Sequence, residues 1–434
     1  MTVRSDERAA SGRRTIERAL LGILTYRPDI DGRIVVAGAL GLYFLVVAVP
    51  RVVWGINIWP SLGVPSGPSL FFDTRNLTAA LECRRLGFDP LIDNPCDPWG
   101  RPLNYPRVWL ALRWLGLNQS HTVALALVFI ALFLGSVFML IGRISLGRGI
   151  LIALAVCSPS VMFAIERANM DIVVFTLLVL AVLAWRVGTR RAQIVSPLVV
   201  LLGATAKIYP VFGLPAYLFL RRRAAAVTAI LCAAAFAVYA IVTIGDIQAV
   251  ARVAPQGDYH SFGARILPAA IYHRFVPDRW QGGALTKQLV AIIPLLVVGP
   301  LVWFRGRRRL PERDETADSA NRLAFYLGSL IFLGTFAVGN NFDYRLVFML
   351  LTLPQLFDWT TEEAGEPRGW LAGVTLAAVL ALLWIGALSE PLRLTDELVT
   401  WATVGLVVSL LAASVPRLRT VWSTVTSPQR SGLP

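Results

Sequence analysis

The chain has 434 residues, 56% of them hydrophobic and only 16% charged, with a mean hydropathy of +0.62. A soluble protein carries about 25% charged residues, so a large soluble catalytic domain is excluded and an all-α polytopic membrane protein is indicated. Its 41 Lys+Arg outnumber its 27 Asp+Glu to give a net charge of +14, and where that charge sits decides whether it reports a polyanionic partner or an orientation in the membrane.

Residues 1–33 hold seven arginines and no long apolar core, which reads as a cytoplasmic N-terminus and not as a signal peptide. Apolar segments then recur at about 34–53, 121–142, 149–165, 171–187, 224–244, 285–304, 322–339, 346–357, 369–388 and 398–414. Between Arg191 and Arg221 lies a further apolar stretch broken by Pro197, Pro210 and Pro215. Its halves, about 194–206 and 209–220, reach roughly 20 Å each, short of the ~30 Å hydrocarbon core. They form a re-entrant hairpin or two short spans with Lys207 near the turn.

Counting this hairpin as two gives about twelve crossings (roughly 10 to 13), with both termini cytoplasmic. Of the 41 Lys and Arg, 25 fall on the proposed inner segments. Most of the others lie in two long outer loops, about 54–120 and 245–284, where the positive-inside rule has least force. The expected organisation is one integral domain over 34–415 and a cytoplasmic tail over 416–434, set in the cell membrane with its functional face outward. Cys157 and Cys232 fall inside spans, whereas Cys83 and Cys96 share the first outer loop. In an oxidising envelope those two form a disulfide or remain free with about even odds.

Polar groups at a membrane edge are costly and usually pair or line a site. Asp73, about twenty residues past the first span, is placed to act as a general base toward a hydroxyl, or to serve as a helix cap or a partner for Arg75. The Pro/Asp/Asn-rich run from Gly87 to Arg107, including Tyr105, suits turns and sugar contacts. In Glu166-Arg167-Ala168-Asn169-Met170-Asp171, Arg167 and Asp171 are spaced to pair on one helix face, with Glu166 and Asn169 on a neighbouring face. Lys207, fixed by Tyr209 and Pro210, suits an anion contact, with snorkelling as the competitor. His260 and Arg265 occupy the second outer loop, and Asn340 to Arg345 joins two spans. Lys207, Arg265 and Arg345 together would bind a phosphate, against the duller readings of an Asp343–Arg345 pair or lipid headgroup binding.

These places, in this order and on one side, resemble the GT-C membrane glycosyltransferases, especially family 87. The likeness rests on Asp73, Gly87 to Pro90, Tyr105-Pro106, Glu166 to Asn169, Lys207 to Pro210 ahead of Arg221 to Arg223, and His260 to Arg265. The chain departs from the family where it has Glu166-Arg167-Ala168-Asn169 for Gly-Gln-x-Asn and Tyr105-Pro106-Arg107 for Tyr-Pro-Pro.

The resemblance implies a GT-C-like bundle that transfers a sugar, mannose or another hexose or pentose, from a polyprenyl-phosphate donor. The acceptor would be an envelope glycan or glycolipid hydroxyl at the outer face. Inverting displacement would use Asp73 as base, with Lys207, Arg265 and Arg345 stabilising the leaving phosphate and His260 assisting. No nucleotide diphosphate leaves, so no metal or other cofactor is demanded, although a divalent cation remains compatible. Asp29-Ile30-Asp31 has the D-x-D form of metal-dependent enzymes but lies on the inner side without room for a nucleotide domain. The competing classes are a lipid-linked-sugar flippase or transporter and an outward-facing polysaccharide polymerase or ligase. Nucleic acid is not an expected partner.

Overall fold

A computed structural model describes residue 15 and residues 17–220, 222–254, 260–268, 272, 299–306, 319–386 and 393–415. The basic stretch through residue 14, Arg221, most of 255–298 and the tail beyond 415 lie outside the described residues, so the expectations for those segments do too.

The elements follow from apolar runs punctuated by caps. Helix α1 (Arg33–Trp54) is apolar around most of its circumference and ends at Gly55, whose φ of 70° only glycine adopts cheaply. The long loop after it contains helix α2 (Phe72–Arg85) and a 3-10 helix at Arg107–Leu115. Helix α3 (Thr122–Ile141) follows, then α4 (Leu146–Val156) and α5 (Pro159–Arg167). The α4–α5 pair bends by 55°. Ser158 caps α5 by accepting from the Val161 amide, and Pro159 sits at its first position, where no donor is lost.

Helices α6 (Met170–Arg186) and α7 (Arg190–Ala206) pack side by side, and a 3-10 helix, Tyr209–Leu218, returns along α7. Then come α8 (Arg223–Val242), α9 (Ile244–Val253) and α10 (Ala320–Val338). Strand β1 (Ser261–Phe262) pairs antiparallel with β2 (Asn341–Phe342), Ser261 opposite Phe342. A 3-10 helix at Asp343–Thr352 runs into α11 (Leu353–Glu362), followed by α12 (Pro367–Ile385) and α13 (Arg393–Ser414).

The protein is mostly helical. Among the described residues six helices are long and apolar enough to cross a membrane, or seven if α4–α5 is one broken span. Of the other segments expected to cross, several form shorter or irregular elements, and the one at about 285–304 lies mostly outside the described residues. Helices α6 and α7 have 17 residues each, and the runs at Tyr209–Leu218 and Asp343–Thr352 are 10-residue 3-10 helices. The 194–220 stretch is thus a helix and a returning 3-10 segment, with Lys207 at the break.

The two ends of the bundle differ. At one end Gly32 and Gly149 bring their backbones together so closely that a Cβ on either would collide, Ser145 Oγ donates to the Leu24 carbonyl at 2.6 Å, and Arg148 donates to Asp358 at 3.0 Å. The other end collects the long loop, the α5–α6 junction, the end of α7 and the β1–β2 pair. Here the loop is tied down in several places. Thr74 Oγ1 donates to the Ala168 carbonyl at 2.7 Å, Trp109 Nε1 donates to the Ala206 carbonyl at 2.8 Å, and a disulfide joins Cys83 to Cys96. Arg107 bridges Asp89 and Asp246 with hydrogen bonds of 2.9–3.0 Å, linking the loop to α9. Helix α2 is accordingly buried along most of its length.

Candidate active site

Three backbone positions shape this end. Phe71, Ala168 and His260 have φ of 52°, 43° and 51°, in the left-handed region that costs an L-residue about 1–2 kcal/mol. Phe71 precedes α2 and delivers Asp73 into its first turn. Ala168 breaks the chain between α5 and α6, so that Arg167 ends one helix and Asn169 caps the next. Such strained residues persist only where surrounding contacts hold them.

The break at Ala168 corrects the expectation that Arg167 and Asp171 pair along one helix. Arg167 Nη1 instead reaches Asp73 Oδ1 at 3.4 Å, and its guanidinium lies 4.8 Å from the Phe163 ring centre. Asp171 turns to the opposite side, where Lys207 Nζ and Tyr209 OH both donate to its Oδ1. Arg345 Nε faces Asp171 Oδ2 at 3.7 Å.

Asn169 joins the two halves. Its Nδ2 donates to Asp73 Oδ2 at 2.5 Å, while its Oδ1 accepts from Lys207 Nζ at 2.7 Å and from the Asp171 amide at 2.9 Å. Those partners fix the amide's orientation, since only its nitrogen can serve the carboxylate and only its oxygen the ammonium. Asp73, Asn169, Asp171 and Lys207 are all buried, so the network is shielded from water and its charges interact strongly.

Aromatic rings complete the setting. Lys207 Nζ lies 5.3 Å from the Tyr105 ring centre, 5.6 Å from Tyr344 and 5.9 Å from Tyr209, within cation–π range. Arg345 stacks over Tyr209 at 4.9 Å and donates to Asn341 Oδ1. The Tyr105 hydroxyl makes no hydrogen bond among the described residues. Glu166 Oε1 accepts from the Gly67 amide at 3.1 Å.

The residues singled out by sequence therefore divide. Asp73, Asn169, Lys207, Tyr209 and Arg345 belong to one hydrogen-bonded and ionic network, with Tyr105 against it and Glu166 one residue from Arg167. His260 is set apart. Its ring packs 6.5 Å from Phe163, and its carbonyl accepts from the Asp343 amide at 2.8 Å. Burial pushes its pKa below the ordinary histidine value. Arg265 is exposed, and no contact joins it to Lys207 or Arg345 among the described residues. Nor does Asp343 pair with Arg345. Burial, and then Asp396 and Glu397 of α13, push its carboxyl well above the usual range.

Sequence reasoning missed Asp171 as the counter-ion of Lys207, Arg167 as the partner of Asp73, and Tyr344 as a third ring beside the ammonium. An odd charge was visible at each of the first two positions, but partner choice depended on the backbone at Ala168. No group of three or more His, Cys, Asp or Glu side chains among the described residues is arranged to hold a metal ion.

A helical membrane bundle whose polar groups converge on one buried acid–amide–base network defines a polytopic membrane protein with a candidate catalytic end. The sequence model of glycosyltransferase family 87 matches residues 108–333, more than half of the chain, and the protein belongs to that family; its class of activity is glycosyl transfer. The match includes Asn169, Asp171 and Lys207 and leaves Asp73 and Arg345 outside it. No curated protein and no solved structure matches the chain.

Proposed function

We propose that this protein transfers a sugar from a polyprenyl-phosphate donor to an acceptor hydroxyl at the outer face of the cell membrane, with inversion. The observation that carries the reading is the Asn169 bridge, which sets a carboxylate and a pair of phosphate-competent cations at opposite ends of one buried network. Asp73 takes the proton of the acceptor hydroxyl as its oxygen bonds to the anomeric carbon. The bond from that carbon to the phosphate oxygen breaks, and polyprenyl phosphate leaves as an anion.

Lys207 and Arg345 stabilise the developing phosphate charge. Their positive charge is already partly answered by Asp171. Three cations (Arg167, Lys207, Arg345) against two carboxylates (Asp73, Asp171) leave one net positive charge, which suits a singly charged phosphodiester. The same balance makes a metal ion unnecessary to the mechanism. The envelope setting and a mannose-like sugar follow from the family resemblance, and the outward orientation from the distribution of arginine.

The test is transfer from a polyprenyl-phosphate sugar by purified Asp73→Asn in lipid nanodiscs. Turnover should fall by about 10²–10⁴-fold, the usual contribution of a positioned base, while polyprenyl phosphate still binds. Lys207→Met should lose that binding. Undiminished turnover in Asp73→Asn would remove Asp73 from the chemistry.

A further inference from the structure

The first turn of α2 carries Asp73, yet it has little of its own to hold it in place. Phe71 at the N-cap has no side-chain oxygen to receive the free amides of that turn, and its φ of 52° lies in the left-handed region. Phe72, the first helical residue, supplies the anchorage instead. Gly67 lies so close to it that a Cβ there would sit 2.8 Å from the Phe72 Cβ, and the Gly67 amide donates to Glu166 Oε1 at 3.1 Å. Trp99 meets the Phe72 ring in a T-shaped contact, with 4.9 Å between centres.

Two guanidinium groups share that ring. Arg101 Cζ lies 3.5 Å from its centre and Arg167 Cζ 5.6 Å, both within the ~6 Å over which a cation is drawn to an aromatic face. Arg101 also holds the backbone. Its Nη2 donates at 3.1 Å to the Phe72 carbonyl, the oxygen of the peptide group that leads into Asp73. Arg167 Nη1 in turn reaches Asp73 Oδ1 at 3.4 Å. The contacts close a circuit, from Arg101 to the Phe72 ring, on to Arg167, to the Asp73 carboxylate, and back along the main chain. Arg101 thus bears on the carboxylate by two routes, through the backbone that carries it and through the cation that pairs with it.

Arg101 is itself firmly presented. Its Nε and Nη2 donate to Asp97 Oδ1 at 3.1 Å and Oδ2 at 2.7 Å, and the Asp97 side chain has no exposed surface. Asn76 of α2 donates to Asp97 Oδ2 at 3.3 Å and to the Arg101 carbonyl at 3.1 Å. The Cys83–Cys96 disulfide ties the same turn to the other end of α2. Balancing the charge of Asp97 needs only a cation, which a lysine would supply. Pairing with both carboxylate oxygens while reaching a second acceptor and a ring needs the planar fork of arginine.

We infer that Arg101 is a positioning residue for Asp73: by gripping the carbonyl and ring of Phe72 it fixes where the carboxylate stands when it receives the acceptor's proton. This assignment rests on the transfer reaction proposed above and adds to it a residue that acts only through another. A misplacement of about 1 Å at a reacting group is enough to cost about 10²-fold in rate.

The test is Arg101→Lys in the full-length protein in nanodiscs, which keeps a cation for Asp97 and removes the fork. Hydrogen exchange read by mass spectrometry should quicken by about fivefold or more at the start of α2, where the Arg75 amide donates to the Phe71 carbonyl at 2.9 Å, and stay unchanged in α5 and α6. Turnover is read as release of polyprenyl phosphate from polyprenyl-phosphate mannose, with a glycolipid extract of the host membrane as acceptor. Its kcat should fall about 10- to 100-fold, while KM for the donor stays within about twofold. A residue that served only the fold would lower the yield of folded protein and leave kcat per folded molecule as it was. Phe72→Leu, which keeps an apolar side chain and removes the ring, should reproduce the fall in kcat. Added to Asp73→Asn, Arg101→Lys should cause no further loss, because it acts through that carboxylate. Unchanged exchange or unchanged kcat in Arg101→Lys would overturn the assignment, as would a loss that multiplies that of Asp73→Asn. Wild-type protein that binds the donor without transferring its sugar would count against the transfer reaction alone. The exchange measurement needs no turnover and still reads whether Arg101 holds the start of α2.

Discussion

Asp171 shows how much depends on single charges in this site. Its carboxylate receives Lys207 and Tyr209 and faces Arg345, and it has no exposed side-chain surface. Removing one member of a buried ion pair leaves the other charge uncompensated, at a cost of about 3–5 kcal/mol. Asp171→Asn should therefore lower the unfolding temperature sharply in a detergent thermal-shift assay. Adding Lys207→Met to that variant should recover part of the loss, because the stranded ammonium is then gone. Equal damage in the single and double variants would mean that Asp171 acts through something other than Lys207.

At the scale of elements, the long loop behaves as a fastened lid of fixed structure, because its ties reach three parts of the bundle. The Cys83–Cys96 bridge closes a short loop at the end of α2. Replacing both cysteines by serine should cost about 2–3 kcal/mol, read as a fall in unfolding temperature. Arg107 supplies a tie that depends on pH. Its hydrogen bonds hold the Asp89 carboxyl below its ordinary 3.8, so the unfolded chain binds more protons than the folded one as the solution becomes acid. The contribution is complete above about pH 4 and is lost as pH falls through the lowered value. Arg107→Ala should lower the unfolding temperature by about 2–4 °C at pH 7 and by progressively less below pH 4.

These elements also mark what the sequence made legible. Asp73, Asn169, Lys207 and Arg345 were visible because a polar group stranded between apolar runs has few places to go. The Arg167 and Asp171 pairings were not. Alanine is the best helix former, and nothing local announces that Ala168 leaves the helix; the turn is imposed by tertiary contacts such as Thr74 to its carbonyl. Arg265 shows a different limit, since spacing alone does not tell a basic residue packed into a buried network from an exposed one such as this. The places of the apolar segments were more legible than the number of crossings, because hydropathy registers a short 3-10 segment and a full crossing alike.

For the whole molecule, the excess of basic residues on one set of connections predicts which end meets which compartment. Trp114, 80% exposed in the long loop, and Val187, 66% exposed between α6 and α7, mark the two ends. A membrane-impermeant maleimide applied to intact cells should label Trp114→Cys and should reach Val187→Cys only after permeabilisation. The reverse pattern would turn the candidate site to the cytoplasm and remove the outward reading.

The Asn169 bridge has one more consequence. Its hydrogen bonds run in a single sense, from the Lys207 ammonium through the amide to the Asp73 carboxylate, so polarisation at one end is felt at the other. The Asp73 carboxylate and the Lys207 ammonium are therefore thermodynamically coupled, and neither tunes alone. A double-mutant cycle on Asp73→Asn and Lys207→Met should give a stability coupling of about 0.5–3 kcal/mol, and that coupling should vanish when Asn169→Leu severs the bridge. A substitution that changes the charge at Asp73 would thus be felt at Lys207 as well.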